Sequence, residues 1–278
     1  MNFPIQRPYT GQLKGVIFDW AGTTVDHGCF APTMVFVEGF RAHGIEITLA
    51  EARQPMGKHK RDHIAEVLFM PRVSQQWQTM YGRMPTDADV QVIFEEFIPR
   101  QIAVIADYAY PMQGVVETIN HLKSHGVKIG SCTGYTRAMM DAMLPIAHSA
   151  GYVPDCVVTG DDVPYGRPTP WMAIQNAMSL NLYPFESIVK VGDTVTDIEE
   201  GLNAGMWTVA VVQTGNEMGL TESELAHVDR AWLEARTAAI HQKFYEAGAH
   251  YVINRVGMEE LLPVLDDIEA RLAQGERP

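Results

Sequence analysis

Four short segments carry side chains whose types and spacing suit work on a phosphoryl group. FDWAGTTVD, Phe18 to Asp26, offers Asp19 followed by a glycine and two threonines. A carboxylate beside a turn rich in backbone N–H groups can attack phosphorus while the turn cradles the oxygens. Read alone, that segment is equally an Asp-Gly turn with a helix cap. Cys132-Thr133-Gly134 supplies a hydroxyl, and GRPTPW sets Arg167 in a loop stiffened by two prolines. VGDTVTD places Asp193 and Asp197 at i and i+4. Two carboxylates there suit a hard cation such as Mg²⁺, or a helix cap with a favourable dipole. Four such elements in chain order argue for one shared site.

A scaffold must bring them together. Short apolar runs recur, each ending in a small, hydroxyl or acidic residue: Gly15 to Asp19, Val127 to Thr133, Cys156 to Gly160, Ile188 to Asp193, and Trp207 to Val212. Between them lie helical patterns, with Val115, Ile119 and Leu122 before Gly126, and Met139, Met143 and Ile146 before Gly151. Strands alternating with helices predict an α/β fold, a Rossmann-like parallel sheet with helices on both faces. In such sheets ligands sit at the carboxyl ends of the strands. From about Phe30 to Ala106 the pattern is helical throughout, with Val90, Ile93, Phe94 and Phe97 on one face and breaks expected at Pro71, Pro85 and Pro99. This reads as an all-helical cap, residues 29–106, inserted into a core of 1–28 and 107–278. Thr221 to Pro278 carries two long helical patterns around a strand-like Ala249 to Ile253.

Composition narrows the class of partner. Asp plus Glu number 34 against 21 Lys plus Arg, a formal charge of −13. Nucleic acid and anionic membrane surfaces would be repelled. An anionic small molecule would need a metal or a few placed cations. Three cysteines without CxxC spacing argue against a disulfide framework or structural zinc. The start, MNFPIQRPYTGQLKG, has no apolar signal core, and no run reaches the length of a membrane helix, so a cytoplasmic location is expected.

The segments resemble the haloacid dehalogenase superfamily, whose members transfer phosphoryl groups through an aspartate. The resemblance implies that Asp19 is the nucleophile and that Thr133 binds a phosphoryl oxygen. Arg167 stands where a Lys or Arg balances charge. Asp193, Asp19 and the backbone carbonyl of Ala21 would hold Mg²⁺, and Asp197 would bind a metal-bound water or orient Arg167. Such cations are what lets a carboxylate approach a phosphoryl dianion.

Ala21 departs from most phosphatases of that superfamily, which carry there an Asp that protonates the departing alkoxide. Losing a general acid costs about 10²–10⁴-fold, so a leaving group that needs no such proton is expected. A carbon leaving group fits if a lysine condenses with a neighbouring aldehyde, because the protonated imine accepts the electrons. PMGKHKRDH, Pro55 to His63, offers Lys58 and Lys60, although a K-H-K-R cluster by itself reads as a solvated face. The likeness extends through this insert to a branch of the superfamily that breaks carbon–phosphorus bonds, and it places the imine on Lys60, three residues before His63. Lys58 either lowers the pKa of Lys60 as a like charge or points to solvent.

Other residues have weaker assignments. His63 shares a helix face with Lys60 and reads as a proton shuttle or a capping histidine. Met56 reads as a pocket wall or core filler. Cys29 and Tyr135 border the substrate or simply pack. Trp171 braces the Arg167 loop, and Lys190 reads as structural. The resemblance further implies a homodimer. Competing readings are a phosphate-ester hydrolase or phosphomutase on the same fold, and a catalytically silent binding protein.

Overall fold

The computed structural model describes residues 8–278, so the first seven residues of the expected 1–28 segment lie outside the described residues. Six strands form one parallel sheet: β1 (Gly15–Phe18), β2 (Lys128–Thr133), β3 (Cys156–Thr159), β4 (Ile188–Gly192), β5 (Trp207–Val211) and β6 (Tyr251–Ile253), in the order β3-β2-β1-β4-β5-β6. β1, β4 and β5 are buried along their whole length. That is why they read as continuous apolar runs rather than alternating ones.

Register decides which residues meet. Phe18 stands level with Ser131 on one side and Val191 on the other. The segments just beyond these strand ends therefore emerge side by side. Most strands are a residue shorter than the apolar runs suggested: Asp19, Gly160, Asp193 and Val212 fall just outside. At Asp19 and Asp193 this frees the residue from the alternation of the pleat.

The predicted helical insert is present as α1 (Phe30–Ala42), α2 (Leu49–Arg53), α3 (Lys60–Leu68), α4 (Pro71–Tyr81) and α5 (Asp87–Ile105), with α1 and α3 packed on α5. Pro71 opens α4 and Pro85 precedes the Thr86 cap of α5. Pro99 is a correction, since it lies inside α5 and does not end it. A mid-helix proline costs about 3 kcal/mol. Val90, Ile93, Phe97 and Ile105 are buried on either side of it, and each fully buried large apolar side chain returns about 1.5–3 kcal/mol. Burial wins.

The chain leaves for this insert and returns from it at one place. Val25 forms an antiparallel bridge with Pro111, and the Met112 amide donates to Thr24 O at 2.9 Å. The remaining helices cover the sheet: α6 (Val115–Ser124), α7 (Arg137–Ser149), α8 (Trp171–Ser179), α9 (Val195–Asn203), α10 (Glu222–His227), α11 (Arg230–Glu246) and α12 (Met258–Ala273). Among the described residues, no helix is long and apolar enough to cross a membrane.

Candidate active site

Asp19 follows β1 directly and is anchored there, its amide donating to Val191 O at 2.9 Å. The next residues wind into a tight turn in which the Thr23, Thr24 and Val25 amides all point at Trp20 O. Gly22 takes a φ of +84° within it, and a Cβ there would collide with the Asp193 carboxylate and Cys29 Sγ. Glycine is needed on both counts. From β4, Asp193 accepts from the Asn216 amide at 2.7 Å, Thr23 Oγ1 at 3.1 Å and Cys29 Sγ at 3.3 Å. At the start of α9, Thr194 and Asp197 form a capping box, which fixes Asp197 beneath the same edge.

Arg167 is fully buried and ties the edge together. Its Nη2 lies 2.8 Å from Asp19 Oδ1 and 3.0 Å from Asp197 Oδ1, and its Nε donates to Glu200 Oε2 at 2.8 Å. Its Nη1 donates to Gly57 O in the insert at 3.1 Å. Lys190, expected to be merely structural, belongs to this network, with Nζ 2.6 Å from Asp197 Oδ1. Asp197 thus contacts both Arg167 and Lys190. Burial works against charge on Asp197, yet Arg167 and Lys190 hold it below the usual carboxylate range.

Asp19, Asp193 and Asp197 place carboxylate oxygens within 4.8 Å of one another. Burial, then the Asp197 charge, raises Asp19 to about 6. Burial and the charges of Asp19 and Asp197 push Asp193 well above its usual range. With Glu200 the cluster holds four carboxylates against the cations Arg167 and Lys190. Crowded hard oxygen donors, two of them raised by burial and by one another's charge, fit a divalent metal ion.

Lys60 opens α3 and points its amine into the same space. It is 2% exposed, with Nζ over the rings of Tyr135 at 4.7 Å and Phe36 at 5.5 Å. Burial lowers it to about 8. Lys58, read either as a like charge beside Lys60 or as pointing to solvent, pairs with Glu66. Asp19, Ala21, Met56, Lys60, Thr133, Tyr135, Arg167 and Asp193 line one cavity with about 20 Å³ of free space.

Two expected residues stand behind this lining. Cys29 hydrogen-bonds Asp193. His63 is stacked on Phe36 with centroids 3.8 Å apart, and its Nε2 lies 2.8 Å from Ala52 O. A carbonyl can only accept, so Nε2 carries the proton and Nδ1 is bare. Burial, then the Lys60 charge, holds His63 well below its ordinary pKa, so the ring is neutral. Trp171 opens α8 and is 46% exposed. Glu200 was missed, although it lies one helical turn after Asp197 on the same face.

A sequence profile of haloacid dehalogenase-like hydrolases matches residues 13–205, more than half of the chain. A phosphonoacetaldehyde hydrolase of Bacillus cytotoxicus is 51% identical over 258 residues, covering 93% of this chain and 97% of that protein. A bifunctional phosphonoacetaldehyde hydrolase/aminoethylphosphonate transaminase of Clostridioides difficile is 48% identical over 265 residues, covering 95% of this chain and 41% of that longer protein. The crystal structure of a phosphonoacetaldehyde hydrolase-like protein from Oleispira antarctica superposes with a TM-score of 0.96 at 37% identity, covering both chains completely. The chain belongs to the haloacid dehalogenase-like hydrolases and, within them, to the phosphonoacetaldehyde hydrolase family.

Proposed function

We propose that the chain hydrolyses phosphonoacetaldehyde to acetaldehyde and inorganic phosphate, with residues 29–106 acting as a cap over a core of 1–28 and 107–278. The observation that carries this reading is the burial of the Lys60 amine and the Asp19 carboxylate in one cavity, fed from the insert and from the sheet edge. Ala21 lines that cavity where an ester hydrolase would need an acid.

Lys60 adds through its free amine to the aldehyde carbon, and loss of water leaves a protonated imine. Asp19 attacks phosphorus, the carbon–phosphorus bond breaks, and its electron pair moves into the imine to give an enamine. Thr133 and Arg167 hold the phosphonate oxygens, and Arg167 offsets the repulsion between dianion and carboxylate. Held by Asp19, the Ala21 carbonyl and Asp193, Mg²⁺ would supply further positive charge at those oxygens. Water then cleaves the aspartyl phosphate. The enamine regains a proton at carbon, and a second water releases acetaldehyde and restores Lys60. One of the two waters replaces the one lost on imine formation, so the net reaction consumes one. Neutral His63, with its bare Nδ1, moves protons during the imine steps, while Met56 and Tyr135 wall the aldehyde end and Cys29 steadies Asp193.

This reading includes a cytoplasmic homodimer acting in the breakdown of 2-aminoethylphosphonate. The aminoethylphosphonate transaminase joined to the Clostridioides difficile relative supports that placement. Borohydride added with substrate tests the imine. Mass spectrometry should find a reduced two-carbon adduct on Lys60 together with lost activity. Full activity after that treatment would overturn the mechanism.

A further inference from the structure

His59 takes no part in the reaction above, yet it stands one residue before Lys60 and reaches from the insert to the core. Its Nε2 lies 3.0 Å from Asp161 Oδ1, in the loop that follows β3. Its Nδ1 accepts from the Arg61 amide at 3.3 Å at the start of α3. The ring proton therefore belongs on Nε2, and the imidazole donates to the carboxylate without needing a positive charge. Asp161 is itself fixed, accepting from the Arg137 amide at 2.8 Å through Oδ2.

The ring also has a prepared seat. A Cβ built on Gly160 would lie 2.7 Å from His59 Cδ2, and one on Gly166 would lie 3.3 Å from His59 Cβ. Neither glycine has a positive φ, so no left-handed backbone explains the missing side chains. What they leave room for is the imidazole. Phe94 of α5 closes the seat from the insert side, with ring centroids 5.7 Å apart.

We propose that His59 is a positioning residue that seats the start of α3 on the core, and so sets Lys60 at its working distance from Asp19. The inference rests on the reading that Lys60 forms the imine. Free space of about 20 Å³ holds roughly one water, so substrate enters only when the insert lifts, and the seat is remade in each turnover. Only the seated fraction binds productively, which enters the apparent affinity directly. A partly exposed hydrogen bond to a carboxylate, at about 1 kcal/mol, converts to roughly a fivefold change in that fraction.

The test measures phosphate release and borohydride trapping at Lys60 for the full chain with phosphonoacetaldehyde, in wild type, His59→Ala, His59→Gln, Gly160→Ala, Asp161→Ala, and His59→Ala combined with Asp161→Ala. His59→Ala and Gly160→Ala should each raise KM about fivefold with kcat held within about twofold, and slow trapping at low substrate by the same factor. His59→Gln, which keeps an N–H donor, should recover most of the loss. The double variant should fall no further than the worse single one. An unchanged KM in His59→Ala, or a fall in kcat without a KM shift, would overturn the inference. Wild type that traps nothing at Lys60 would sink the imine reading instead, and the KM comparison would still decide the role of His59.

Discussion

The Lys60 ammonium sits 4.7 Å from the centre of the Tyr135 ring, and the buried phenol oxygen of that ring finds no hydrogen-bond partner among the described residues. An aromatic face tolerates a cation but does not hold it in a salt bridge, so the amine can shed its proton at modest cost. Lys60→Arg keeps the charge and cannot form an imine. It should leave the fold intact and lower kcat by on the order of 10⁴-fold or more, as loss of a covalent catalyst does. Steady-state phosphate release with a circular dichroism control checks this, and retained turnover would favour an ester hydrolase or phosphomutase.

Acidity at Lys60 sets a pH profile. The reactive species is the free amine, and burial lowers the group to about 8. Below that pH the amine is protonated, so kcat/KM should climb about tenfold per unit as pH rises towards 8 and then level off. A profile flat between pH 6 and 8 would contradict the assignment.

Glu200 bears on stability. Its Oε2 meets Arg167 Nε at 2.8 Å with both side chains fully buried. Removing Glu200 leaves Arg167 paired with Asp19 and Asp197, so the loss is one buried hydrogen bond to a charged group, about 1.5–3 kcal/mol. Glu200→Ala should lose that much in urea unfolding at neutral pH. A loss below about 1 kcal/mol would mean that Asp19 and Asp197 suffice to hold Arg167.

Metal removal gives a fourth prediction. The cluster of Asp19, Asp193 and Asp197 should make phosphate release chelator-sensitive and restorable by Mg²⁺. Asp193→Asn, which removes a ligand charge, should abolish the restoration. Activity that survives exhaustive chelation would show that Arg167 and Lys190 neutralise the phosphonate unaided.

Much of this was readable before any coordinates because Asp19, Thr133 and Asp193 each close or follow an apolar run, and strand ends of a parallel sheet share an edge. Ala21 pointed to an imine-forming lysine, since a missing acid demands another kind of leaving group, but only the family resemblance separated Lys60 from Lys58. Glu200 was not, because an acidic pair on a helix looks solvent-facing unless the partner Arg167 is known to lie beneath it. His59 hid in the same way inside a basic cluster whose ordinary meaning is a wetted face. Pro99 misled because a local helix-breaking rule was overruled by burial on both sides. These misses share a cause: the deciding partner lies far along the chain or on another element.

The bridge between Val25 and Pro111 has a consequence for how such a molecule can be rebuilt. Because departing and returning backbones already touch, a short turn could span the gap and the whole helical block be excised or exchanged for a different one. The sheet would keep its register and Arg167 its contacts to Asp19 and Asp197, while Asp193 would give up Cys29 and Arg167 would give up the Gly57 carbonyl. On the mechanism proposed above, specificity for the aldehyde would then travel with the exchanged block, and the phosphorus chemistry would stay with the part that remains.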